Sequence, residues 1–160
     1  MGAKELVLGD GGLEGLRECL LIAYALNRES HEFVVVSDYW EGRAAERRSF
    51  VRLVFEGVED FKREPGLNPE LRAFWGEYRM EGAPGGVVFQ SVETHPEGGG
   101  TRANLWFGPS FGGCSFLYRG VHASVRKARV TMRGRDWEYR DAEDDEVLEF
   151  HEPFGKGAQG

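Results

Sequence analysis

Cysteine is scarce in this 160-residue chain: only Cys19 and Cys114 occur, far apart in the sequence. Two separated cysteines supply neither a disulfide framework nor a zinc site, so they read as reduced core thiols in a cytosolic protein. Histidine is also scarce, limited to His31, His95, His122 and His151. No two of these stand four residues apart on a helical pattern, and no metal or cofactor is expected. No apolar run approaches bilayer length, and the opening residues lack the apolar core and cleavage site of a signal peptide. These absences predict a soluble cytoplasmic protein with no membrane partner.

Acids are missing from one long stretch. From Gly98 to Arg135 there is no Asp or Glu, against seven bases: Arg102, Arg119, Arg126, Lys127, Arg129, Arg133 and Arg135. The following residues, Asp136 to Glu152, hold nine acids and one base, Arg140. The net charge of that short segment, −8, exceeds the −7 of the whole chain. Such segregation either steers a charged partner or is consumed internally when the two blocks meet.

What is present argues for a globular, turn-rich β protein. Hydrophobic residues make up 41% of the chain, enough for a core and too many for a disordered segment. The 23 glycines punctuate short apolar runs. The expected domain layout is one globular unit over residues 1–154 and a glycine-rich tail over 155–160.

Two successive meanders are predicted. Leu13, Leu16, Leu20 and Tyr24 fit a helical stripe, while residues 19–26 fit a strand with one small-residue face; the strand is favoured because a β-branched and aromatic run follows at 32–40 after a loop of hairpin length. Residues 49–61 alternate until Gly57, where the phase changes; a bulge or a strand end would account for this. Asn68, Pro69 and Glu70 form a helix opening, followed by the stripe Leu71, Phe74, Trp75 and Tyr78. The second meander comprises 87–94, 102–107 and 114–121, continuing into a basic strand. There the apolar phase moves from Val121, Ala123 and Val125 to Ala128, Val130 and Met132, which predicts a bulge near Arg126 and a solvent-facing row of Lys127, Arg129, Thr131 and Arg133. The fold class is α+β, mainly antiparallel β with one short helix.

Catalytic motifs are weak. Gly108-Pro-Ser-Phe-Gly112 carries a glycine-flanked serine, but a nucleophile elbow needs a helix after it and here a strand follows. Cys114 lies within an apolar strand, where burial silences a thiol. Gly98-Gly-Gly-Thr101 lacks the lysine of a phosphate loop. A scattered active site would require Asp38, His95 or His122 to converge in a cleft. No catalytic residue is assigned, and a non-enzyme is expected.

The charge blocks permit three readings. Cross-strand pairing would spend the arginines on the acids immediately downstream. An acidic binding surface would use Asp141, Glu143, Asp144, Asp145 and Glu146 to steer a basic protein, with Trp137 and Tyr139 as anchors. A single-stranded nucleic-acid site would use Arg126, Lys127, Arg129, Arg133 and Arg135, with stacking on Trp106, Phe116 or Tyr118.

The run Phe33-Val-Val-Val-Ser-Asp-Tyr-Trp40, a charged loop, and Val51-Arg-Leu-Val-Phe-Glu-Gly-Val-Glu-Asp-Phe61 resembles the opening meander of small bacterial immunity proteins from polymorphic toxin systems. The resemblance covers about a quarter of the chain and lies in the pattern of strands. It implies a cytoplasmic inhibitor that binds a toxin, and an acidic inhibitor suits a basic one. No inhibitory residue transfers by motif. The expected function is non-enzymatic binding of a basic protein, with a nucleic-acid module or a subunit of a larger bacterial assembly as alternatives.

Overall fold

The computed structural model describes residues 3–6, 12–39, 47–67, 79–80, 87–149 and 153–154. Among them the chain is almost entirely antiparallel β. The strands are β1 (Ala3–Leu6), β2 (Leu20–Asn27), β3 (Glu32–Tyr39), β4 (Arg47–Glu56), β5 (Glu59–Pro65), β6 (Arg79–Met80), β7 (Ser91–Glu97), β8 (Gly100–Trp106), β9 (Gly112–Tyr118), β10 (Gly120–Arg133), β11 (Asp136–Asp141) and β12 (Val147–Leu148). The helix expected after Asn68 lies outside the described residues, as does the tail at 155–160. Among the described residues the helical element is a short 3-10 helix, Gly12–Leu16. None of the described helical residues forms a helix long and apolar enough to cross a membrane.

An eight-stranded sheet runs β12-β11-β10-β4-β3-β2-β6, with β1 also paired to β10. A four-stranded sheet runs β5-β9-β8-β7. The first meander, β2 to β4, forms as expected. The second is divided between the sheets: β7, β8 and β9 stay together, while β10 pairs with β4 in the other sheet.

Two neighbouring corners cause this division. β4 ends at Glu56 and the chain passes through Gly57 into the smaller sheet; β9 ends at Tyr118 and passes through Arg119 into the larger one. The Arg119 amide donates to the Glu56 carbonyl at 2.8 Å, holding the corners side by side. Gly57 has φ +64°, and a Cβ there would meet the Arg119 side chain at 3.1 Å. Glycine supplies both the left-handed turn and the room for the crossing. The phase change at Gly57 is therefore a strand end.

The core between the sheets is aromatic. Phe33, Phe55, Phe89 and Phe116 are essentially inaccessible. Phe116 meets Phe33 and Phe55 edge-on at centroid separations of 5.0 and 4.9 Å. Each such ring contributes roughly 1.5–3 kcal/mol by leaving water. A second apolar cluster lies on the opposite face of the large sheet, built from Ile22, Ala23, Val36, Phe50, Ala128 and Leu148, with Tyr139 and Phe154 against it.

That second cluster corrects the bulge expected near Arg126. Strand β10 pairs with β4 in unbroken register from Gly120 opposite Glu56 to Arg129 opposite Arg47. Its phase changes because the strand serves two cores in turn. Ala123, with Val121 and Val125 beside it, faces the core between the sheets, whereas Ala128 and Val130 are buried toward the opposite face. The row Lys127, Arg129, Thr131 and Arg133 is exposed, as the alternation predicts.

Candidate functional site: the β10–β11 hairpin and its acidic turn

Strands β10 and β11 are joined by Gly134 and Arg135, a two-residue turn flanked by the pair Arg133 and Asp136. Gly134 has φ +65°, which suits the tight turns favoured by the twist of a hairpin. Beyond Arg129, β10 pairs only with β11 among the described residues. The hairpin thus projects past the end of β4.

One face of the projection changes from core to surface. Val130 is buried opposite Tyr139, whose ring is 5.7 Å from that of Phe50. One row further out, Met132 is opposite Trp137, and these are 57% and 55% exposed. Large apolar side chains this accessible and directly paired form a small apolar knob next to the second core. Sequence reasoning offered Trp137 and Tyr139 as anchors but not Met132. The available signal was the phase that ran Ala128, Val130, Met132.

The other face is an ion-pair lattice. Arg129 and Arg140 are direct cross-strand partners, a repulsive arrangement if left alone. Asp145 sits with both: its carboxylate pairs with Arg129 and lies 3.6 Å from Arg140, whose Nη1 also donates to the Asp145 carbonyl at 3.0 Å. Glu138 accepts from Arg140 Nε at 2.7 Å and lies 3.3 Å from Arg133. The Arg140 hydrogen bond is the main reason the Glu138 carboxyl is held below its ordinary pKa.

Asp141 organises the turn that follows. Its Oδ1 accepts from the amides of Glu143 at 2.7 Å and Asp144 at 3.1 Å, the local bonding that suits Asp to turns. Its Oδ2 accepts from Arg126 Nε at 2.8 Å. Arg126 also reaches Glu146 at 3.1 Å and the Pro153 carbonyl at 3.1 Å. Burial alone would raise the Asp141 pKa, yet the Arg126 hydrogen bond and the two amides together outweigh it and lower the pKa.

The five acids expected to steer a partner therefore have different positions. Asp141 is buried and builds the turn, and Asp145 and Glu146 hold arginines. Glu143 and Asp144 are exposed at the turn itself. Of the bases considered for nucleic acid, Arg126 is committed to Asp141 and Glu146, while Lys127, Arg129, Arg133 and Arg135 are exposed. Phe116 and Tyr118 are buried in the core between the sheets and present no stacking face.

The residues considered for catalysis do not meet. Asp38 is buried on β3, His122 is exposed on β10 and paired with Glu56 at 3.0 Å, and His95 is exposed on the smaller sheet. Ser110 lies in a turn that leads into β9, not a helix. Burial pushes the Cys114 thiol up to about 12, so it stays protonated. Among the described residues no cluster of His, Cys, Asp or Glu is arranged to hold a metal. Comparisons with protein-family models, curated proteins and solved structures find no match to this chain.

Proposed function

We propose that this chain is a non-enzymatic protein-binding domain that engages a basic partner through the end of the β10–β11 hairpin and the adjoining turn at 141–146. The observation that carries the reading is the exposed pair Trp137 and Met132 on a projecting hairpin. Exposed tryptophan beside charged groups is the composition of an interface anchor. Trp137 and the turn are four residues apart along β11, about 13 Å, so one standard interface covers both. Glu143 and Asp144 supply steering, and Asp141 acts as a positioning residue beneath them.

The similarity of residues 20–61 to immunity proteins refines the proposal to an inhibitor of a basic toxin in a bacterial cytoplasm. The ion-pair lattice limits how far charge contributes: residues 126–149 hold six bases against eight acids. Anchoring by Trp137 is thus the main term, and charge acts chiefly on the rate of encounter. The test is affinity capture from the native host with the wild-type chain and with Trp137→Ala. A basic protein retained by the first and lost by the second supports the proposal; equal retention by both rejects it. Replacing Glu143 and Asp144 by Lys is expected to slow association and flatten its salt dependence.

A further inference from the structure

The far end of β10 borders a different feature. A cleft of about 430 Å³ opens between the β2–β3 turn and the crossover into β5, lined by Leu26, Asn27, Arg28, His31 and residues 58–61. This volume lies in the range of small-molecule sites. Its floor is apolar: Val58 is buried, and Leu26 and Phe61 are partly buried against the main core. The Phe61 ring stands 4.9 Å from Phe33 and 5.8 Å from Phe116, so the floor is fixed.

The walls are also fixed. Asn27 Oδ1 accepts from the amides of Glu29 and Ser30 at 3.0 and 3.2 Å, which shapes the turn. The Val58 amide donates to the His31 carbonyl at 2.8 Å, tying one wall to the other. His31 and Asp60 both hold left-handed backbone, at φ +55° and +51°. Non-glycine residues adopt that region rarely, and here one such residue stands on each wall.

The charges at the rim are unequal in their commitments. Asp60 is shared between Arg102 at 2.8 Å and Lys62 at 3.7 Å, and Arg102 also holds Glu97 at 2.8 Å. That group of two acids and two bases is internally neutral. Arg28 already has an interaction partner. Glu59 is exposed. Its carboxylate stands beside the apolar floor without an ion pair among the described residues.

We infer that this cleft binds a small amphipathic cation, with its ring or branched alkyl group on Leu26, Val58 and Phe61 and its ammonium group at Glu59. The cleft and the hairpin knob lie at opposite ends of β10, so this inference stands or falls independently of the protein-binding proposal.

The test is a titration of the full chain with phenethylamine and, as the matched anion, hydrocinnamate, followed by amide NMR shifts and calorimetry. Phenethylamine is expected to saturate with a dissociation constant of order 1 mM, as its few heavy atoms allow. Shifts should concentrate at residues 26–31 and 58–61. Hydrocinnamate should bind about tenfold more weakly, and Glu59→Gln should weaken the amine about five- to tenfold and bring the two ligands level. Glu59 is exposed, so the variant should keep the parent melting temperature. Equal or tighter binding of hydrocinnamate, unchanged amine binding by Glu59→Gln, shifts located elsewhere, or no saturation at tens of millimolar would each overturn the inference.

Discussion

Two buried carboxylates on the same face of the large sheet show opposite behaviour. Asp38 and Asp141 are both inaccessible, and each pairs with an arginine from the neighbouring strands. Asp141 has three donors spread over both oxygens, Arg126 and two backbone amides, and its pKa is lowered. Asp38 has Arg48 at 2.5 Å on Oδ2, while Oδ1 is buried without a hydrogen bond, and burial raises its pKa. At Asp38 the cost of burial outweighs a single arginine, whereas at Asp141 a smaller burial cost is outweighed by three donors. Asp141 is thus built into the fold as an anion, whereas Asp38 is tolerated there.

The comparison is broken most directly at Asp141. Asp141→Ala removes one of the two acid partners of a largely buried guanidinium together with two turn hydrogen bonds, and should cost about 2–3 kcal/mol in denaturant unfolding. A loss under 1 kcal/mol would show that the turn holds itself. Acid titration of stability should separate the two sites. The native Asp141 binds fewer protons than its unfolded form, so its stabilisation is present above the unfolded carboxylate pKa and is lost as pH falls through the lowered native value. Asp38 acts in the opposite sense: its native form holds a proton above the unfolded pKa, so lowering pH into that window favours the fold at this site. The Asp141→Asn variant should flatten the acid limb and Asp38→Asn should steepen it.

Smaller effects sharpen the same contrast. Asp38→Asn keeps the shape and removes a disfavoured charge, so its cost at neutral pH should be about 1 kcal/mol or less. Arg129→Ala breaks an exposed pair and should cost about 0–1 kcal/mol, decreasing with salt. Trp137→Ala should change the unfolding free energy least, within about 0.5 kcal/mol, while abolishing partner capture. A large loss of stability in that last variant would mean the ring belongs to the fold.

The local pattern carried much of the architecture. The β-branched and aromatic run at 33–36 marks β3, buried on both faces, and alternation over 51–55 marks β4, one face of which packs on the aromatic core. Gly57 marks the end of β4 because its left-handed backbone and close approach to Arg119 favour a residue without Cβ. The pattern misled where one strand serves two cores: Ala123 and Ala128 face opposite ways, and a single-core reading demands a bulge between them. Sheet membership of β10 was also hidden, since β9 and β10 are separated only by Arg119. At the site, Trp137 was visible from its alternation. The division of labour among Asp141, Glu143 and Asp145 was not, because it depends on which carboxylate the hairpin folds over Arg126.

The paired corners at Gly57 and Arg119 make one two-stranded ribbon, β4–β5 against β9–β10, run through both sheets. Neither layer can peel away from the other without tearing that ribbon at its bend. Heat or denaturant should therefore dissolve the two layers in a single transition, with slow amide exchange at Val51, Leu53 and Phe116 reporting the same opening.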